Sequence, residues 1–220
     1  MELLEGIETR KSYRAFKPTP VTRETIEKIL RVAGRSPSYT NTQPWEVAVV
    51  NGQKKAELGA ILHRLAESGT PGNPDMPRPG EWPPELDKRG KEHGARRYEA
   101  MGVARDDRER RRELSLANYD FYGAPCVLLI FIESSLTSWS IYDAGLFSQS
   151  LILAAHGLGL GTCLQASLGN YPDAVRSLLG IPANKRLVLG ISLGYPDNEA
   201  LINQYRSNRA ELSEWVRWVG

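Results

Sequence analysis

The chain has 220 residues, a formal charge of +2, 41% apolar residues and 25% charged residues. That length holds one large domain or two small ones, and the composition excludes global disorder. The small net charge excludes a general nucleic-acid or polyanion binder. Cys126 and Cys163 both lie in apolar segments and read as buried, reduced thiols rather than a disulfide or metal site. His63, His93 and His156 lie far apart and form no HExxH pair, so no metal centre is expected. The start of the chain, MELLEGIETRKSY, places acids ahead of any apolar run, unlike a secretory signal. No stretch approaches the roughly 20 apolar residues of a membrane span. The expectation is a soluble, cytoplasmic protein.

Leu3, Leu4 and Ile7 mark one face of a short first helix. Thr22 is a good N-cap for a second, in which Ile26, Ile29, Leu30 and Ala33 recur at helical spacing before Gly34 stops it. Trp45 to Val50 reads as a strand turned by Asn51-Gly52, and Leu58, Ile61, Leu62 and Leu65 mark another amphipathic helix. Residues 69–84 carry Pro71, Pro74, Pro77, Pro79, Pro83 and Pro84 and cannot be regular structure. Residues 105–113, RDDRERRRE, pair Asp106 with Arg110 and Asp107 with Arg111 at i,i+4, as a solvated helix does. The whole excursion, about 66–115, reads as a lid or as a poorly ordered insertion.

Cys126 to Ile132 is apolar on both faces, as in a central strand. Ile141 to His156 is a helix, apolar nearly all round at Leu151–Ala155. Gly157, Gly159 and Gly161 end it and lead into a short strand at Thr162–Leu164. Pro172 fits the first turn of a helix ending at Gly180, and Arg186 to Leu193 is another buried strand. Strands separated by helices give an α/β or α+β sandwich. The tail from about 197 is polar to Arg209 and then apolar at Leu212, Trp215, Val216, Trp218 and Val219. It packs either on its own core or over a partner subunit, with the second favoured by its length.

The chemistry-bearing stretch is RKSYR, Arg10 to Arg14. In an extended segment Arg10, Ser12 and Arg14 share a face, and such a comb suits a phosphate and a neighbouring anionic or carbonyl group. A solvated basic loop is the plain alternative. The glycine cluster fails G-x-G-x-x-G because residue 162 is Thr, and it follows a helix and precedes a strand, the reverse of a dinucleotide site. G-x-S-x-G is absent, since the sequence around Ser167 is QASLG.

RKSYRAF at 10–16, SPSYTNTQPWEV at 36–47, GLGLGTC at 157–163, LGISLGYP at 189–196 and RSNRAELSEWV at 206–216 together resemble the FMN-dependent nitroreductase family. The proline-rich excursion is similar to that of the branch reducing nitrobenzoates and dinitroanilines. The resemblance implies one nitroreductase domain over 1–220, of α+β class: a three-layer fold with a mixed, mainly antiparallel sheet between helices. It also implies a homodimer that exchanges its C-terminal arm and holds FMN at two interface sites. Carried over, the cofactor residues are Arg10, Lys11, Ser12 and Arg14, with Arg209 and Arg206 joining the phosphate. Pro37, Ser38, Asn41 and Gln43 cover the flavin of the other subunit, and the backbone at Leu164, Gln165 and Ala166 faces flavin N5. Where the family often has Pro and Glu, this chain has Leu164 and Ala166.

The activity implied is NAD(P)H-dependent reduction of a nitroaromatic by ping-pong hydride transfer through flavin N5, from nitro to nitroso to hydroxylamine. The flavin does the redox chemistry, so no protein acid–base triad is required. Arg14 is nominated to stabilise the reduced flavin electrostatically. Trp82, Tyr119, Phe121 and Tyr122 are candidates to stack on substrate, with a core role the alternative for Phe121 and Tyr122. Other readings keep the flavin with a quinone, enone or free-flavin acceptor, or make the chain a non-catalytic phosphate-ligand module.

Overall fold

The structure is a computed structural model that describes residues 2–220. Its frame is a four-stranded sheet of β1 (Glu46–Asn51), β2 (Cys126–Glu133), β3 (Gly161–Gln165) and β4 (Lys185–Gly194), in the order β1-β2-β4-β3. All three strand pairs are antiparallel, and among the described residues parallel pairing is confined to an isolated bridge between Ser12 and Thr162.

Alternation along β2 builds two cores. Cys126, Leu128, Ile130 and Ile132 enter one, and Val127, Leu129 and Phe131 enter the other. Each side chain is so fully buried that it contributes about 1.5–3 kcal/mol. The first core is closed by α2 (Arg23–Ala33) and α6 (Ser138–Gly157), through Ile26, Ile29, Phe147 and Leu151. The second is closed by α3 (Gly52–Glu67) and α7 (Pro172–Leu179), through Leu58, Leu62 and Val175. The result is the α+β, helix–sheet–helix architecture.

Local signals act as their chemistry dictates. The Thr22 hydroxyl accepts from Thr25 N at 3.2 Å and caps α2. Gly180 closes α7 at φ 65°, a conformation costly for any residue with a Cβ. α6 starts at Ser138, three residues before its apolar run, with Thr137 at the N-cap position and its carbonyl accepting from Ser140 N at 3.1 Å.

The excursion is more ordered than its prolines imply. The stretch before Pro84 has no regular structure, but it is pinned to the body. The Asp75 carboxylate accepts from Arg176 (2.5 and 3.3 Å) and from Leu187 N (2.8 Å). Asn73 N donates to Asn170 O at 2.9 Å. Two helices follow, α4 (Pro84–Ala100) and α5 (Arg108–Leu116). A short N-terminal helix, α1 (Leu3–Thr9), and α8 (Leu201–Gln204) complete the set. Among the described residues no helix is long and apolar enough to cross a membrane.

Candidate functional site

Arg10 to Arg14 runs beside the outer edge of β3. Tyr13 N donates to Thr162 O at 2.9 Å, and the Tyr13 ring lies over Gly161. A Cβ on Gly161 would sit 2.8 Å from that ring, so the close approach requires glycine there. The segment is then tied to the C-terminal stretch by Asn203, 1% exposed. Its side-chain oxygen accepts from Arg14 N (2.7 Å), and its amide donates to Ala15 O (2.8 Å) and Asp197 O (2.7 Å). Its carbonyl accepts from the Lys11 ammonium.

This stitching brings distant cations together. Arg10, Lys11, Ser12 and Arg14 line one cleft of about 530 Å³ with Arg206, Ser207 and Arg209. Burial lowers the Arg10 pKa, and the Arg209 and Arg206 guanidiniums lower it further by repulsion. Among the described residues no carboxylate forms an ion pair with any of these cations. Guanidiniums gathered in one cleft without an acid, Arg10 partly buried and Arg206 and Arg209 exposed, are arranged for an external anion. A phosphomonoester is the group that such a trio of arginines suits, so the cleft fits the FMN phosphate.

One wall of the cleft comes from the excursion. His93 of α4 lines it, with Nδ1 3.0 Å from the Tyr205 hydroxyl. Burial lowers the His93 pKa, and Arg97, Arg14, Arg96 and Arg209 reinforce the shift. His93, Tyr205 and Asn203 were not found by sequence reasoning. They lie in polar segments with no periodicity, and their roles arise only from contacts about 110 to 190 residues apart in sequence.

Beyond Thr162 the β3 edge is open. Backbone groups on an edge strand alternate in direction with period two. Since Thr162 O faces Tyr13, the N–H of Leu164 faces the same open side. The Leu164 and Ala166 side chains are exposed, whereas Gln165 is buried. The Gln165 amide donates to Asn118 O (2.8 Å), and its side-chain oxygen accepts from the Ser192 hydroxyl. The Gln165 side chain therefore serves the core, leaving the backbone at 164–166 and the apolar side chains of Leu164 and Ala166 free to meet a ligand.

Pro37, Ser38, Asn41 and Gln43 do not line the basic cleft of their own chain. They form a tight exposed loop in which Thr40, Asn41 and Gln43 have φ of 47°, 59° and 48°. The Ser38 hydroxyl accepts from Gln43 N at 2.9 Å. The buried Asp143 carboxylate of α6 accepts from Tyr39 N at 3.2 Å with each oxygen. Such strain persists only where surrounding structure enforces it, and it collects at functional loops. Trp45 anchors the end of the loop by stacking on Phe147 at 4.8 Å.

The four aromatics separate. Phe121 is 1% exposed and Tyr119 7%, and both pack in the second core, so their rings are not open to a ligand. Trp82 is 56% exposed in the proline-rich stretch. Tyr122 lines a second cavity of about 290 Å³ together with Arg14. The C-terminal arm lies against α4 through an Arg89–Glu214 ion pair of 2.7 Å, while Leu212, Trp215, Trp218 and Val219 stay exposed.

Comparison with known proteins bears on this arrangement. Residues 7–195 match the model of the nitroreductase family. The chain is 38% identical to nitroreductase NfnB of Mycolicibacterium smegmatis, over 96% of this chain and 90% of that one. It is 33% identical to 4-nitrobenzoate reductase of Pseudomonas putida, over 97% and 94%. Among solved structures, the FMN and NADPH-dependent nitroreductase NfnB of a Sphingopyxis strain superposes with a TM-score of 0.97 at 30% identity, covering 100% of both chains. The chain belongs to the nitroreductase family.

Proposed function

We propose that this chain is an FMN-dependent NAD(P)H nitroreductase that reduces nitroaromatic compounds. The observation that carries the reading is the unneutralised trio Arg10, Arg206 and Arg209 in a cleft beside an open strand edge. The relatives named above are nitroreductases, one of them FMN and NADPH-dependent, which supports FMN as the cofactor and NADPH as the reductant.

In this reading Arg10, Arg206 and Arg209 hold the phosphate, and Lys11 and Ser12 bind along the ribityl chain. Arg14, fixed by Asn203, offers its positive charge to the pyrimidine end, where reduction adds negative charge. The Leu164 N–H is aimed at the edge where a ring nitrogen would accept it. FMN, when bound, supplies the hydride chemistry, which accords with a site that offers cations and backbone donors instead of an acid–base triad.

The same proposal has the chain act as a cytoplasmic homodimer of single-domain subunits. Ser38, Asn41 and Gln43 of each loop cover the neighbouring subunit's flavin, and Pro37 and Pro44 brace that loop. The excursion at about 66–115 serves as a substrate lid, and the arm at about 197–220 packs over the partner. The exposed apolar residues of the arm and the placement of the loop outside its own cleft support this arrangement.

The test is direct. With oxygen excluded, purified protein should bind FMN and sustain NADPH oxidation only when a nitroaromatic acceptor is present. Anion binding without NADPH oxidation would make the chain a phosphate-ligand module. Turnover of a quinone in preference to any nitro compound would assign the flavin a different acceptor.

A further inference from the structure

His93 is the residue at which the excursion enters the basic cleft. It lies on the face of α4 that also carries Arg89 and Arg96, about one turn to either side. That face lines a cavity of about 580 Å³ against Ser207, Asn208 and Arg209. His93, Ser207 and Arg209 line this cavity and the basic cleft alike, so the two meet there. The arginines of the face are answered by acids, Arg89 by Glu214 at 2.7 Å and Arg96 by Glu92 at 4.0 Å. Among the described residues no carboxylate pairs with His93.

Tyr205 fixes the imidazole. Its hydroxyl lies 3.0 Å from His93 Nδ1, and the two rings are tilted at 44° with centres 5.6 Å apart. Tyr205 lines the basic cleft and immediately precedes Arg206, so the contact sets the imidazole at the end of the cleft where the arginines gather. Burial lowers the His93 pKa, and Arg97, Arg14, Arg96 and Arg209 lower it further, which keeps the ring neutral with a single N–H. The Tyr205 hydroxyl has no other acceptor among the described residues, so we assign it as the donor to Nδ1. The ring hydrogen then sits on Nε2, which has no protein partner among the described residues.

We infer that His93 is a cofactor residue supplied by the excursion: its Nε2–H donates to the phosphate of FMN, and that contact fastens α4 to the flavin site. The inference rests on the nitroreductase reading. A half-buried neutral donor suits this place, because it adds a hydrogen bond to the phosphate without adding a further charge to the arginines.

The same contact gives the excursion its hold on the body. α4 buries none of its residues fully, so it has little core of its own to keep it in place. It also carries guanidiniums toward Arg10, Arg206 and Arg209, and like charges oppose that approach until an anion lies among them. A phosphate that His93 helps to bind relieves this repulsion. FMN binding and α4 docking therefore strengthen one another, each by the same factor.

The experiment compares FMN with riboflavin, which has the same ring and ribityl chain but no phosphate. Both are titrated into full-length wild type, His93→Phe and His93→Gln freed of flavin, with Kd read from flavin fluorescence. Phe keeps a ring against Tyr205 and removes both nitrogens, whereas Gln keeps a donor. Amide exchange over residues 84–100 is followed with and without FMN. His93→Phe should bind FMN roughly tenfold more weakly than wild type, the worth of one hydrogen bond to a charged acceptor. Riboflavin affinity should not change, and His93→Gln should recover part of the FMN loss. FMN should slow exchange over α4 in wild type and slow it less in His93→Phe. Unchanged FMN affinity in His93→Phe would overturn the inference. An equal loss for riboflavin would do so too, by marking a packing role, as would α4 exchange in wild type that does not respond to FMN. Wild type that binds neither flavin would instead sink the nitroreductase reading and this inference with it, so the two failures are told apart.

Discussion

At the scale of single residues, the site depends on cations held close together against their mutual repulsion. Arg10 lies half-buried under the influence of Arg209 and Arg206. Arg10→Ala should weaken FMN binding by roughly 10- to 100-fold, the worth of a charge-assisted contact. Equilibrium dialysis against FMN checks this, and an unchanged Kd would remove Arg10 from the phosphate site. Asn203 is the residue that fixes this geometry, and Asn203→Ala leaves Arg14 N and two backbone carbonyls unanswered. A stability loss of about 2–4 kcal/mol is expected in urea unfolding. The core adds a pH effect. Burial pushes the Cys126 thiol up to about 12, whereas an unfolded thiol ionises near about 8.5. Above that lower value the folded state keeps a proton that the unfolded chain releases, so stability falls as pH rises toward about 12. Cys126→Val should flatten Tm against pH across this window, and identical slopes would contradict the assignment. Of these residues, the RKSYR comb was legible because its chemistry is dense and local. Asn203 and His93 were not, because each gains its role from partners far away in sequence.

At the scale of elements, legibility followed the hydrophobic period. β2 and β4 are apolar runs, and α2 carries a clean stripe, so their types were readable within a residue or two. α4 was invisible for the opposite reason. PELDKRGKEHGARRYEA buries no residue fully, holds two glycines and opens with a proline at its first turn, hidden among others that end structure. Its helix is set by packing against the C-terminal stretch through Arg89–Glu214 and His93–Tyr205. The stretch before it is held by Asp75, whose side chain and that of Arg176 are only 20% and 13% exposed. Asp75→Ala should cost about 3 kcal/mol by leaving Leu187 N without its acceptor and Arg176 with the exposed Asp173 as its one carboxylate, beside Lys185 O. A Tm equal to wild type would show that the proline-rich stretch is not anchored there. Gly161 gives a sharper structural test. Gly161→Ala must push Tyr13 away, shifting the strand that carries Arg10 to Arg14, and flavin affinity should drop while β3 and β4 stay paired.

At the scale of the whole molecule, the proposed homodimer would have one chain build half of each site. The strained loop of Asn41 and Gln43 and the tryptophans Trp215 and Trp218 are exposed, as packing against a second copy would require. Sequence periodicity records what a chain buries in itself, so it marked the arm as apolar without fixing what covers it. Removal of residues 210–220 should convert a dimer to a monomer with lower flavin content, read by light scattering together with absorbance. A stable yellow dimer would show that the arm is not an interface element. The central claim, that a flavin held by the Arg10–Arg206–Arg209 cleft passes electrons from NADPH to a nitroaromatic, is tested most directly by anaerobic stopped-flow. Protein reduced with one equivalent of NADPH should regain its oxidised flavin absorbance on mixing with 4-nitrobenzoate, at a rate that rises with the nitro compound. Protein that takes up no FMN, or whose reduced flavin is not reoxidised by any nitroaromatic, would contradict it.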